Sequence, residues 1–85
     1  MKVSFQTTES TTRNIDFDKL YNYIKADLEE EKRQPVTKAD VFNRYTVAET
    51  YYLERVLGVE IEDNLQNECI LEDIYDEFRD YINNL

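Results

Sequence analysis

Apolar residues recur along this 85-residue chain with two periods, and the change from one to the other divides it into elements. Near the start the period is two. Val3, Phe5 and Thr7 alternate with polar neighbours, and so do Arg13, Ile15 and Phe17. The polar stretch Thr8-Glu9-Ser10-Thr11-Thr12 lies between them, so residues 2–17 are expected to form a β-hairpin. Its turn carries no Asn-Gly or Asp-Gly, and a hairpin of two strands needs helices to pack on.

From there the period lengthens. Leu20, Tyr21, Ile24 and Leu28 share one helical face, with Asp16 or Asp18 suited to cap it, which predicts a first helix over residues 18–32. Gln34-Pro35 ends it, because the residue before a proline is pushed out of the α region. Thr37, with Asp40 three positions on, is a short-armed capping box for a second helical stretch over 38–57. Val41, Phe42, Tyr45, Ala48, Tyr52 and Val56 form its stripe, and Gly58 stops it. Within that stretch Thr46-Val47-Ala48-Glu49 has the spacing of another capping box. The span is therefore either one helix or two with a break near Arg44–Thr46.

Val59 and Ile61 alternate with Glu60 and Glu62, which suits a third short strand near 59–62, and Asp63-Asn64 is a turn or a cap. A last helix over 66–84 aligns Ile70, Leu71, Ile74, Tyr75, Phe78, Tyr81 and Ile82 on one side. The expected architecture is a single small α+β domain, an N-terminal hairpin packed against three helices.

Composition supports this picture. One Gly and one Pro leave little of the chain for tight turns and favour helices over a sandwich or barrel. A single Cys makes no intramolecular disulfide, no apolar run is long enough to span a membrane, and MKVSFQTTEST lacks a signal-peptide core. The expectation is a soluble, cytoplasmic protein.

Charge changes the picture more. Residues 1–44 hold eight Lys/Arg against eight Asp/Glu, whereas residues 45–85 hold two, Arg55 and Arg79, against eleven. The whole net charge of −9 thus resides in the second half, which points to an interaction surface and away from nucleic acid as a direct partner.

Candidate chemistry is sparse. With no His there is no imidazole base and no Ser-His-Asp or Cys-His arrangement, and the lone Gly excludes phosphate-cradling loops. Cys69, on the acidic side of the last helix, reads as a tolerated free thiol. Glu60, Glu62, Asn64 and Glu68 offer oxygen ligands. A calcium loop counted from Glu60, however, would need Gly and Glu where Leu65 and Leu71 stand. No enzyme activity, cofactor or dedicated metal site is expected. Residues Thr37–Arg44 and Thr46–Leu57 have the lengths of a helix-turn-helix, but its second helix would offer phosphates only Arg55 beside Glu49 and Glu54.

The acid itself remains. Glu68, Glu72, Asp73, Asp76, Glu77 and Asp80 fall along about 18 Å of helix, or one charge per ~3 Å, against one per about 3.4 Å in a single nucleic-acid strand. Glu60, Glu62 and Asp63 extend the run. Four like-charge pairs at i,i+4 each cost about 0.2–0.5 kcal/mol, a loss that mixed charges would avoid. Segregated acid therefore suggests a basic partner, beside the plainer reading that acidic helices are common and solvate well. Tyr23 and Tyr51 fall beside the apolar stripes and are possible aromatic anchors, although a place at the edge of the core is the stronger explanation.

In size, charge and runs such as VEIEDNLQNE and ECILEDIYDEFRDY, the chain resembles small acidic proteins of bacteriophages and mobile elements. These include anti-CRISPR and anti-restriction proteins and uracil-DNA glycosylase inhibitors, some of which mimic DNA. The resemblance is one of general character, with no shared motif. It implies a non-enzymatic inhibitor, at work in a bacterial host cell if phage-encoded, that blocks a basic nucleic-acid-binding protein such as a nuclease. A protein-interaction adaptor or homodimer using its apolar and Tyr surface, or a degenerate helix-turn-helix regulator, stands as the alternative.

Overall fold

The computed structural model describes residues 1–5 and 11–85. Two strands, β1 (Lys2–Phe5) and β2 (Thr11–Asn14), precede four helices, α1 (Phe17–Lys32), α2 (Lys38–Val47), α3 (Glu49–Leu57) and α4 (Leu65–Asn83). The class is α+β, as the pattern predicts, with four helices in place of three.

β1 and β2 pair antiparallel with Val3 opposite Arg13 and Phe5 opposite Thr11. Val3 and Phe5 are buried, while Ser4 and Thr12 exchange a 2.8 Å hydroxyl hydrogen bond on the exposed face. Thr7 and the connection through Thr8, Glu9 and Ser10 lie outside the described residues. Thr11 and Thr12, expected in that connection, belong to β2. The strand also ends sooner than its alternation suggests. The Asp16 carboxylate accepts from the backbone N–H of Asp18 and of Lys19 at 3.0 and 3.3 Å, and this cap starts α1 at Phe17. Phe17 is therefore a helical residue, and its ring stacks on Phe78 at 5.8 Å.

α1 buries Leu20, Ile24 and Leu28 and stops at Arg33, whose left-handed backbone (φ 54°) directs its N–H to the Glu29 carbonyl. The Thr37 capping box of α2 is present. Thr37 Oγ1 accepts from Asp40 N–H at 3.1 Å, and Asp40 accepts from Thr37 N–H at 3.0 Å. That backbone bond, with help from the Thr37 side chain, holds the Asp40 carboxyl below its ordinary value.

Residues 38–57 form two helices, and the break falls at Ala48, beyond the expected Arg44–Thr46. Thr46 does not cap α3. Its hydroxyl donates back to the Asn43 carbonyl at 2.8 Å, Ala48 turns to φ −146° and ψ 38°, and α3 begins with no side-chain cap. Gly58 closes α3 in the left-handed region, φ 68°, with its N–H on the Glu54 carbonyl.

The third strand near 59–62 does not form. Ile61 is buried as its alternation implies, but its N–H goes to the Glu54 carboxylate at 3.3 Å. The Glu62 carbonyl accepts from the Asn67 side chain at 2.8 Å. Side chains thus satisfy backbone groups that a strand would pair, and the alternation reported burial alone.

The core unites Leu20, Ile24, Leu28, Val41, Leu53 and Ile74 around the rings of Tyr45, Tyr52 and Phe78. Tyr52 donates to Asp27 at 2.8 Å, and Arg44 bonds Glu31 at 2.7 Å, tying α1 to α3 and α2 on the outer side. The two threonines at the ends of α2 should separate cleanly in urea titrations. Thr37→Ala is expected to lower stability by about 1 kcal/mol, and Thr46→Ala, which removes no cap, by less than about 0.5 kcal/mol.

Candidate protein-interaction surface

α4 carries the surface. Asn64 caps it, accepting from Asn67 N–H at 2.9 Å, and Asn67, Ile74, Phe78 and Ile82 are buried along its inner side. The helical period then leaves its acids no place but outside, and Glu68, Glu72, Asp73, Asp76, Glu77 and Asp80 are all exposed. They form two rows. Glu68, Glu72, Asp76 and Asp80 follow one another at i,i+4, while Asp73 and Glu77 lie about 100° further round than Glu72 and Asp76.

Three of the first row, Glu68, Glu72 and Asp76, border a groove of about 440 Å³ that Glu49, Leu71 and Tyr75 also line. Sharing Glu68 and Leu71 with it, a second hollow of about 380 Å³ continues toward Glu62, Asp63 and Asn64. Six carboxylates, of Glu49, Glu62, Asp63, Glu68, Glu72 and Asp76, thus border two hollows that share Glu68 and Leu71, and among the described residues no Lys or Arg lines either.

Five of the nine expected acids meet here. Glu60, exposed on the 59–64 connection, lines neither hollow, and Asp73, Glu77 and Asp80 lie outside both. The addition is Glu49. Its spacing from Thr46 fits a capping box, but the break at Ala48 makes it the first residue of α3 and turns it toward α4. Only the position of that break would have revealed it. Burial raises the Glu49 carboxyl above its ordinary value, so the groove wall holds one acid that ionises less readily.

Arg79, the one cation in α4, tempers the far end. It lies 3.6 Å from Asp76 and 3.8 Å from Asp80, with its guanidinium 6.0 Å over the Tyr75 ring. Glu68 and Glu72 have no such neighbour among the described ion pairs.

The aromatic candidates form a separate surface. Tyr23 and Tyr51 are 38% and 48% exposed. Both set their rings edge-on to Tyr52, at 6.0 and 5.2 Å, and the Arg55 guanidinium lies 4.6 Å over Tyr51. They line neither acidic hollow. Beneath them, burial and the hydrogen bond to Asp27 push the Tyr52 hydroxyl up to about 12.

Among the described residues no group of three or more His, Cys, Asp or Glu is placed to hold a metal ion, and no helix is long and apolar enough to cross a membrane. No protein-family model, curated protein or solved structure matches the chain.

The raised Glu49 carboxyl fixes a pH dependence. A folded-state value above the unfolded one means that the folded protein binds the extra proton, so this residue's penalty grows as pH rises. Glu49→Gln is therefore expected to raise the urea midpoint at about pH 7. The gain should fade well below the ordinary value of 4.5, where Glu49 is protonated in both states. Paired titrations at the two pH values check the sign.

Proposed function

We propose that this chain is a non-enzymatic inhibitor or modulator of a basic nucleic-acid-binding protein such as a nuclease, occupying with carboxylates the groove that the target uses for phosphates. One observation carries the reading. Glu49, Glu62, Asp63, Glu68, Glu72 and Asp76 come from three segments of the chain to border two hollows that share Glu68 and Leu71, and among the described residues no cation lines either. Acid needed only for solubility gains nothing from convergence, and repulsion along the Glu68–Glu72–Asp76 row makes the arrangement costly. A basic partner turns that repulsion into attraction and speeds encounter. Leu71 and Tyr75, between the carboxylates, supply the apolar contact that distinguishes a fitted partner from a diffuse counter-ion cloud.

A second reading has its own support. Tyr23, Tyr51 and Arg55 are residue types that anchor protein interfaces, and here they are exposed and clustered over Tyr52. On that reading the chain is an adaptor or a homodimer, and its acid serves solvation.

Affinity capture from a bacterial lysate, washed at low and high salt with DNA as competitor, separates the two. The inhibitor reading expects a basic protein that leaves with salt and is displaced by DNA. With the target in hand, combined reversal of Glu68, Glu72 and Asp76 to Lys is expected to weaken binding about 100-fold or more, and reversal of Asp73 and Glu77 far less. Binding that survives the triple reversal sinks the proposal. Salt-tolerant capture that Tyr51→Ala abolishes supports the adaptor.

A further inference from the structure

Alternation along the hairpin fixes where its backbone groups point. Met1 and Ile15 exchange bonds, the Ile15 N–H donating to the Met1 carbonyl at 2.7 Å and the Met1 amine to the Ile15 carbonyl at 3.4 Å. In an antiparallel ladder such pairs alternate with pairs that make no backbone bond to each other. In this register Val3–Arg13 and Phe5–Thr11 are therefore bonded pairs, and Lys2–Asn14 and Ser4–Thr12 are not. The 2.8 Å contact between the Ser4 and Thr12 hydroxyls agrees, since side chains stand closest at a non-bonded pair. The N–H and C=O groups of Lys2 and Ser4 thus point away from β2. Among the described residues β1 and β2 are the whole sheet, and no described group bonds to these four.

An unpaired edge is a template for another strand, and the edge itself says which strand fits. Turned about a two-fold axis at Val3, a second β1 sets its Ser4 opposite Lys2 and its Lys2 opposite Ser4. The outward groups of the two copies then make four hydrogen bonds with none left over. Each Lys2 meets a serine, so like charges do not stand directly opposite. Charge favours the same meeting point. Two chains of net charge −9 repel, but residues 1–5 and 11–15 carry Lys2 and Arg13 and no carboxylate, so hairpins approach without setting acid against acid. There is also room. Ser4 and the start of α4 line a hollow of about 390 Å³ whose apolar residues are Leu65, Cys69 and Ile70, and Leu65 is 80% exposed.

We infer that the outer edge of β1 is a self-association surface, where a second copy of this chain adds its own β1 antiparallel and covers the hollow beside Ser4. A strand of four residues makes a small interface, so the association is weak and governed by concentration. It uses none of the carboxylates of the acidic hollows and none of the Tyr23–Tyr51 surface, and so stands apart from both readings above.

Sedimentation equilibrium on the full chain, from about 10 μM to about 1 mM, tests it. The mean mass should rise from 10.2 kDa toward twice that value, and added salt should strengthen the association by screening repulsion, the opposite of its effect on a basic target. Exchange of the Lys2 and Ser4 amide hydrogens should slow as concentration rises, while the Thr12 and Asn14 amides on the far edge keep their rates. Ser4→Pro removes an outward donor and no ladder bond, and should weaken association at least about tenfold. Thr12→Pro, the same change on the other edge, and Tyr51→Ala should leave it unchanged. Leu65→Glu, at an exposed position, should weaken it as well and serves if Ser4→Pro fails to fold by circular dichroism. A mass that stays at one chain, equal protection on both edges, association that survives Leu65→Glu and a folded Ser4→Pro, or association lost in Tyr51→Ala would each overturn the assignment.

Discussion

The ring of Phe78 is the contact on which the other elements close. Phe17 at the head of α1 stacks on it at 5.8 Å, Tyr45 of α2 meets it edge-on at 4.8 Å, and Phe42 and Tyr81 lie at 6.3 and 6.1 Å. With Ile74 and Ile82 buried on either side of it, α4 is committed to the core along one whole face. A helix anchored that firmly can tolerate like charges along its outer side, because burial of large side chains at about 1.5–3 kcal/mol each outweighs repulsions of a few tenths. The acidic surface is thus a consequence of where the aromatic seam runs. It is also fixed in space by that seam.

Charge segregation then follows the architecture. α1 and α2 carry mixed charges, and one cross-helix pair, Arg44 with Glu31, fastens them. α4 faces outward with one Arg, so its carboxylates find no internal partner except near Arg79. Because α3 begins at Glu49 and the 59–64 connection passes the head of α4, acids distant in sequence border two hollows that share Glu68 and Leu71.

Much of this was legible in the chain. The α+β class, the Thr37 capping box, the Gly58 stop and the inner stripe of α4 followed from period and caps, since each is decided by residues within a turn of one another. What was not legible depended on competition between local options. Thr46 had the spacing of a cap but spent its hydroxyl on Asn43, so the helix broke two residues later, at Ala48. Val59 and Ile61 had the alternation of a strand, yet Glu54 and Asn67 took up the backbone groups. The site suffered from the same gap. Five of the expected acids converge, but Glu49 joins them only because of a break whose place no periodicity marks. The exposure of Tyr23 and Tyr51 was visible as departures from the stripes, whereas their convergence on Tyr52 needed the packing of α1 on α3.

The uncapped start of α3 has a mechanical meaning. α4 is held by the deepest part of the core, while the nine residues of α3 enter through Ala48 with no side chain latching the first turn. Local opening is least costly where a short helix lacks its cap. Glu49 therefore sits at the turn of α3 that no side chain caps, opposite the capped and firmly seated row on α4.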